Sequence, residues 1–167
     1  MNTAVNESDA IAALNRFRRA VHLIRQLQRS AFPRWFDGIP TWFSDERPTE
    51  GPAEVIFYDA AEVALYRTAR QLLFDAVAIN PYLPDAYWLL GNAAAEIDGD
   101  KATQLGYYHK ALALDPDNED FLNVRMGHHL NAGDLDAACL DLERLEALNS
   151  NYARSMREQY DNAINGG

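Results

Sequence analysis

Few residues in this chain could do chemistry, and their spacing argues against most of it. The four histidines are His22, His109, His128 and His129. His128 and His129 are adjacent, so on a helix their side chains diverge by about 100° and cannot grip one ion as an i, i+4 pair does. Neither a His-Glu-x-x-His nor a Glu-x-x-His motif occurs, so helical zinc-protease and di-iron carboxylate sites lack their ligands. There is no glycine-rich phosphate loop and no Gly-x-Ser-x-Gly elbow. Cys139 is the only cysteine. It has no catalytic context and reads as a small buried apolar residue. Asp59, Glu62 and Tyr66 fall on one helix face, where a carboxylate and a phenol could exchange protons. A solvated or partner-facing surface explains that spacing more simply. The sequence therefore predicts no catalytic set, no metal and no cofactor.

Charge narrows the partners. The formal net charge is -10, unevenly spread. From Ala10 to Phe36 there are six arginines (Arg16, Arg18, Arg19, Arg25, Arg29 and Arg34) and no acid. From Gly51 onward 19 acids face 8 basic residues. An acidic body argues against nucleic acid as the main ligand, because phosphate binding needs a cationic face. The arginine segment reads as a solvated helix face or as a helix docked on the acidic body. Binding of RNA or anionic lipid would require those arginines to stay exposed together. The acids Asp134, Asp136, Asp141, Glu143 and Glu146 read as a wet outer face. With one cysteine no internal disulfide can form, which fits a reducing compartment. The first ten residues carry no secretory signal, and no apolar run reaches the length of a membrane span. The expected location is cytoplasmic.

The elements that must position any site read as helices. Residues 8–30 have Ser8 as a cap and Ile11, Leu14, Phe17, Val21, Ile24 and Leu27 at helical spacing. Residues 31–52 hold four prolines, two glycines and two Trp-Phe pairs, Trp35-Phe36 and Trp42-Phe43. That composition predicts a loop. Its aromatics either plug an exposed core end or form a lid or docking patch, which makes Trp35 and Trp42 candidate partner contacts. Residues 53–79 carry no turn signal and predict one long or kinked helix starting at Pro52, the alternative being a hairpin turned near 64–66. Helices follow near 85–97, 101–114, 119–131, 134–148 and 150–163, about seven in all.

Residues 85–118 and 119–152 align without a gap, 34 residues apart. Gly99-Asp100 falls on Gly133-Asp134, Trp88 on Leu122, Tyr108 on Leu142 and Leu114 on Leu148. A period of 34 with an internal Gly-Asp turn means stacked helical hairpins. The first unit offers Trp88, Leu90-Gly91, Gly99-Asp100, Tyr108, Ala111 and Pro116. The second offers Leu122, Gly127, Gly133-Asp134, Ala138, Leu142 and Leu145. In these residues the chain resembles the tetratricopeptide repeat family over roughly residues 66–152. There are departures. Ser150 stands where proline is usual, Gln104 where a small residue is expected, and Gly91 and Gly127 lie eight and six residues before their turn glycines instead of seven. The resemblance implies an all-α fold: a short right-handed solenoid of helical hairpins, with clear units at 85–118 and 119–152, a degenerate unit before 85 and a capping helix after 150. Residues 1–52, the Arg-rich amphipathic helix and the Pro/Trp-rich loop, join residues 53–167 in one compact domain.

The resemblance also implies a concave surface, lined by first helices, that binds an extended or helical peptide. Its candidate residues are Trp88, Asn92, Asn123, Arg125 and His128. Asparagine pairs with a peptide backbone as donor and acceptor together. Trp88 has a plainer reading, packing between helices. Arg125 sits between Val124 and Met126, which read as buried, so it faces either the groove or an acid. The family's carboxylate clamp needs several Lys, Arg and Asn residues on successive first helices, and only scattered members exist here. The expected function is a non-catalytic adaptor or chaperone holding a peptide segment or partner subunit. Two alternatives stay open. FLNVRMGHHLNAGDLDAA is similar to the last repeat of type III secretion chaperones for translocator proteins. An enzyme accessory or small-molecule site beneath residues 31–52 is the other. Self-association stays open as well, with two short solenoids completing each other's ends.

Overall fold

The computed structural model describes residues 5–37 and 58–165, with side chains for 5–31 and 58–165. The described residues form seven α-helices and no strand. They fall into two compact units, Met1–Tyr107 and Tyr108–Gly167, divided within the fourth helix.

The first unit contains α1 (Glu7–Asp37), α2 (Ala60–Ile79), α3 (Pro84–Asp98) and the opening turns of α4 (Lys101–Leu114). Asn6 caps α1 where Ser8 was expected to: its Oδ1 accepts from the Asp9 N–H at 2.9 Å, and its Nδ2 donates to the Asp9 carboxylate at 2.7 Å. α1 then runs to Asp37, which corrects the expected loop over 31–37 and places Trp35 on a helix. Pro33 offers no N–H to the Arg29 carbonyl. Residue 29 lies on the exposed face, where water can donate in its place, so the helix continues. Trp42 and the rest of 38–57 lie outside the described residues.

The buried stripe of α1 is Ala13, Ala20, Ile24, Leu27 and Ala31. Four of these share a core with Tyr66, Ala69 and Leu73 of α2 and with Ala86, Leu90, Ala93 and Ile97 of α3. The alanines let helix axes approach, and the larger side chains fill the remaining space. Burying Leu27, Leu73 and Leu90 contributes roughly 1.5–3 kcal/mol each. α2 is one helix with no turn at 64–66, and it starts at an Asp59 cap, later than Pro52 suggested.

The second unit holds the rest of α4, then α5 (Glu119–Ala132), α6 (Leu135–Ala147) and α7 (Ala153–Asn165). Its core is Tyr108, Ala111, Leu112, Phe121, Leu122, Met126, Ala138, Leu142, Leu145 and Met156. Turns fix the helix ends. Gly133 (φ 74°, ψ 13°) takes the left-handed conformation that closes α5, and the Asp134 N–H donates to His129 O at 2.9 Å. Asp134 then caps α6 by accepting from the Ala137 N–H at 3.2 Å. Gly99 (φ 66°, ψ 16°) does the same for α3 in the first unit, and Asp100 caps α4 by accepting from the Thr103 N–H at 2.9 Å. The closing bonds differ by one residue. Asp100 N–H reaches six residues back to Ala94, whereas Asp134 N–H reaches five back, so the last turn of α3 is wider. Asn149 (φ 53°) replaces glycine after α6. Ser150, in the usual proline place, is buried and donates to Glu119 Oε2 at 2.7 Å, while Tyr152 donates to Asp120 Oδ1 at 2.7 Å. A proline at 150 could make neither the hydroxyl bond to Glu119 nor the bond from the Ser150 N–H to Leu145 O at 2.9 Å.

Candidate functional site

The residues expected to line one groove fall on both units. Trp88 and Asn92, four apart on α3, share a face and are half-buried. Asn123, Arg125 and His128 are half-buried on α5. Asn123 and Arg125 are two apart, so their side chains leave the helix about 200° from each other and belong to different faces. His128 packs edge-on against Tyr108 with ring centroids 5.5 Å apart.

Arg125 resolves in favour of an acid. Its Nε donates to Asp141 Oδ2 at 2.9 Å and its Nη2 to Oδ1 at 2.5 Å, a bidentate fork. The Asp141 side chain is 3% exposed and that of Arg125 20%. This corrects the reading of Asp141 as a wet residue. Val124, expected to be buried, is 37% exposed, and Cys139 is only half-buried, with Sγ 3.8 Å from Glu143 Oε1. The ion pair floors a hollow of about 430 Å³ whose wall includes His109, Leu112, Leu122 and Leu140. Leu140 stands at its lip, 68% exposed. Arg144 lines it too and pairs with Asp117. His109 stacks on His129 at 6.2 Å. Partial burial lowers the His109 pKa from 6.5, and the Arg125 and His129 charges add to that. The residues missed by sequence reasoning are thus Asp141, His109 and Leu140. Repeat alignment held a signal: Arg125 falls on Gly91 and Asp141 on Tyr107, so an opposite-charge pair replaces a glycine and a tyrosine together.

In the first unit the Asp59, Glu62, Tyr66 face is solvated only at Asp59. Glu62 and Tyr66 are buried. Asp59 and Glu62 form a reciprocal capping box, with the Glu62 N–H donating to Asp59 Oδ1 at 2.8 Å and the Asp59 N–H to Glu62 Oε2 at 2.9 Å. Ser30 Oγ of α1 lies 2.9 Å from the other Glu62 oxygen. Tyr58 donates to Glu96 Oε2 at 2.7 Å and packs edge-to-face on Tyr66. Burial, and next the Glu96 charge, push the Tyr58 phenol far up, so it stays a donor. These groups tie α1, α2 and α3 together.

The solvent side of α1 carries Arg18, His22, Arg25 and Arg29, all exposed. None has a carboxylate partner among the described residues. A broad hollow runs along this side, lined by Phe17, Arg18, Val21, His22, Arg25 and Arg29, among others. Among the described residues no group of three or more His, Cys, Asp or Glu is placed to hold a metal. No described helix is long and apolar enough to cross a membrane. Compared with protein-family models the chain matches none, and the search of curated proteins gives no match.

Proposed function

We propose that the chain is a non-catalytic interaction module of tetratricopeptide-like helical repeats, an adaptor or chaperone that holds a peptide segment or partner subunit. The observation that carries this is the recurrence of one local design 34 residues apart. In each unit a helix ends on a left-handed glycine, Gly99 or Gly133, and the next residue, Asp100 or Asp134, caps the following helix. Such hairpins stack edge to edge in repeat proteins, and the stacked faces bind peptides. Large apolar side chains left in water, Leu114, Val124 and Leu140, support a surface that meets a partner. A cytoplasmic setting, with its reducing conditions, belongs to the same reading, since Cys139 is unpaired.

The test is affinity capture from native lysate with mass spectrometry, comparing the intact protein with an Asn92→Ala, Asn123→Ala double variant. The expected result is one dominant protein held by the intact chain and lost from the variant. No enriched protein, or equal capture by both, would overturn the groove reading.

A further inference from the structure

In a chain of net charge -10, the solvent ridge of α1 has the opposite sign. Arg18, His22, Arg25 and Arg29 stand at i, i+4, i+7 and i+11, so they form one line, spaced about 6, 4.5 and 6 Å along the axis. Arg19 is exposed beside the line. The segment from Ala10 to Phe36 contains no acid, so none of these guanidinium groups can be neutralised by a neighbour on the same stretch of helix. The opposite stripe is packed into the first unit's core, which leaves the ridge facing outward. Phe17 and Val21 lie alongside it, half-buried, as an apolar margin.

We propose that this ridge docks an acidic amphipathic helix of a partner protein. Carboxylates at i, i+7 and i+11 on such a helix have the same axial spacing as Arg18, Arg25 and Arg29, so those charges meet in register, and a carboxylate at i+4 lies opposite the His22 ring as a hydrogen-bond acceptor. Arginine suits this role because its planar fork takes a carboxylate through two parallel N–H bonds. The partner's apolar edge would cover Phe17 and Val21. Competing polyanions fit less well. A nucleic-acid strand adds a phosphate every few ångströms, and a chain of net charge -10 repels a long polyanion as a whole. A membrane surface binds interfacial helices through an apolar face inserted among the lipids. The apolar face of α1 is already buried in protein. The proposal concerns residues other than Asn92 and Asn123 and does not depend on the reading tested through them.

The probe is a fluorescein-labelled, alanine-based helical peptide with glutamates at i, i+4, i+7 and i+11 and leucines along one flank. Its binding to the full chain is read by fluorescence anisotropy at low salt. The glutamate peptide is expected to bind about tenfold tighter than its glutamine counterpart, each exposed pair being worth a factor of about two, and to weaken as salt rises. The Arg18→Glu, Arg25→Glu, Arg29→Glu variant should lose that binding with its far-ultraviolet circular dichroism unchanged, and the glutamine triple variant should bind weakly. The Asn92→Ala, Asn123→Ala variant should bind as the parent does. Equal binding of the two peptides, or binding retained by both triple variants, would overturn the proposal. So would tighter, ridge-dependent binding of oligouridylate or of phosphatidylserine vesicles.

Discussion

Single residues decide where the repeat pattern bends to local chemistry. Asp141 is the sharpest case. It is buried with both oxygens engaged by Arg125, so removing its charge strands a guanidinium beside Leu112 and Leu122. Breaking a buried pair costs about 3–5 kcal/mol, and the partial exposure of Arg125 reduces that here to about 2–3 kcal/mol. Asp141→Asn should therefore lower the urea midpoint sharply. Arg125→Met with Asp141→Leu should recover most of the loss, because neither desolvated charge remains. A loss below about 0.5 kcal/mol for Asp141→Asn would mean the pair behaves as a surface contact. The glycines make a second contrast. A Cβ on Gly127 would meet nothing within 4 Å, although the repeat pattern reads that position as a small residue kept for packing. Gly127→Ala should thus stabilise α5 by about 0.5–1 kcal/mol. Gly133 also has open space but sits at φ 74°, so Gly133→Ala should cost about 1 kcal/mol. Chemical denaturation of both variants checks the pair of signs. The Asp141 pair was legible only in part, as an acid expected near Arg125 and as two opposite charges replacing Gly91 and Tyr107 in the repeat alignment; the freedom at Gly127 was not, because it depends on what a neighbouring helix brings to the site.

At the scale of elements, the helices from α3 to α6 were legible almost to the residue, since Gly-Asp turns and Pro84 mark their ends chemically; α7, expected near 150–163, starts three residues later, at Ala153. α1 was legible only to residue 30. The four prolines and two glycines of residues 31–52 favour a loop by composition, Pro33 first among them. Helix propagation from a long, well-buried stripe outweighed them through Asp37. The acid–tyrosine face of α2 misled for a different reason: periodicity tells which residues share a face, not whether another helix covers it, and α1 and α3 supply Ser30 and Glu96 to cover this one. The α4–α5 contact yields a pH prediction. His109 on α4 faces His129 and Arg125 of α5 and Asp141 of α6. Its folded-state pKa lies below 6.5, so the unfolded chain binds the proton more readily. The stabilising contribution is whole above pH 6.5 and is lost as pH falls through the folded value. Unfolding free energy should therefore fall as pH drops below 6.5, and His109→Gln should shrink that fall. An unchanged pH slope in the variant would show that other groups carry the effect.

For the whole molecule the governing quantity is charge. All-helical architecture and the absence of a membrane-spanning helix among the described residues followed from periodicity and hydropathy. Partner specificity did not, because it is written in exposed side chains that periodicity leaves unconstrained. Two electrostatic effects oppose each other in the folded chain. Exposed pairs such as Arg70 with Asp98, Arg144 with Asp117 and Arg157 with Glu146 attract, but only weakly, because water and salt screen them. Against them, a net charge of -10 repels itself over longer distances. Salt weakens both, but unequally. Groups in direct contact lie well inside a Debye length of about 10 Å at 0.1 M, whereas the repulsion of a net charge sums over longer separations, which salt screens first. Screening thus removes more repulsion than attraction. The melting temperature by circular dichroism should rise by a few degrees between about 10 mM and about 200 mM sodium chloride. Potassium chloride should act alike, since the effect belongs to ionic strength and not to a bound ion. A fall over the same range would mean that the exposed pairs dominate. In that case the arginine ridge of α1 would be less anomalous than its isolation from acids indicates, because contact pairs would already set the balance across the surface.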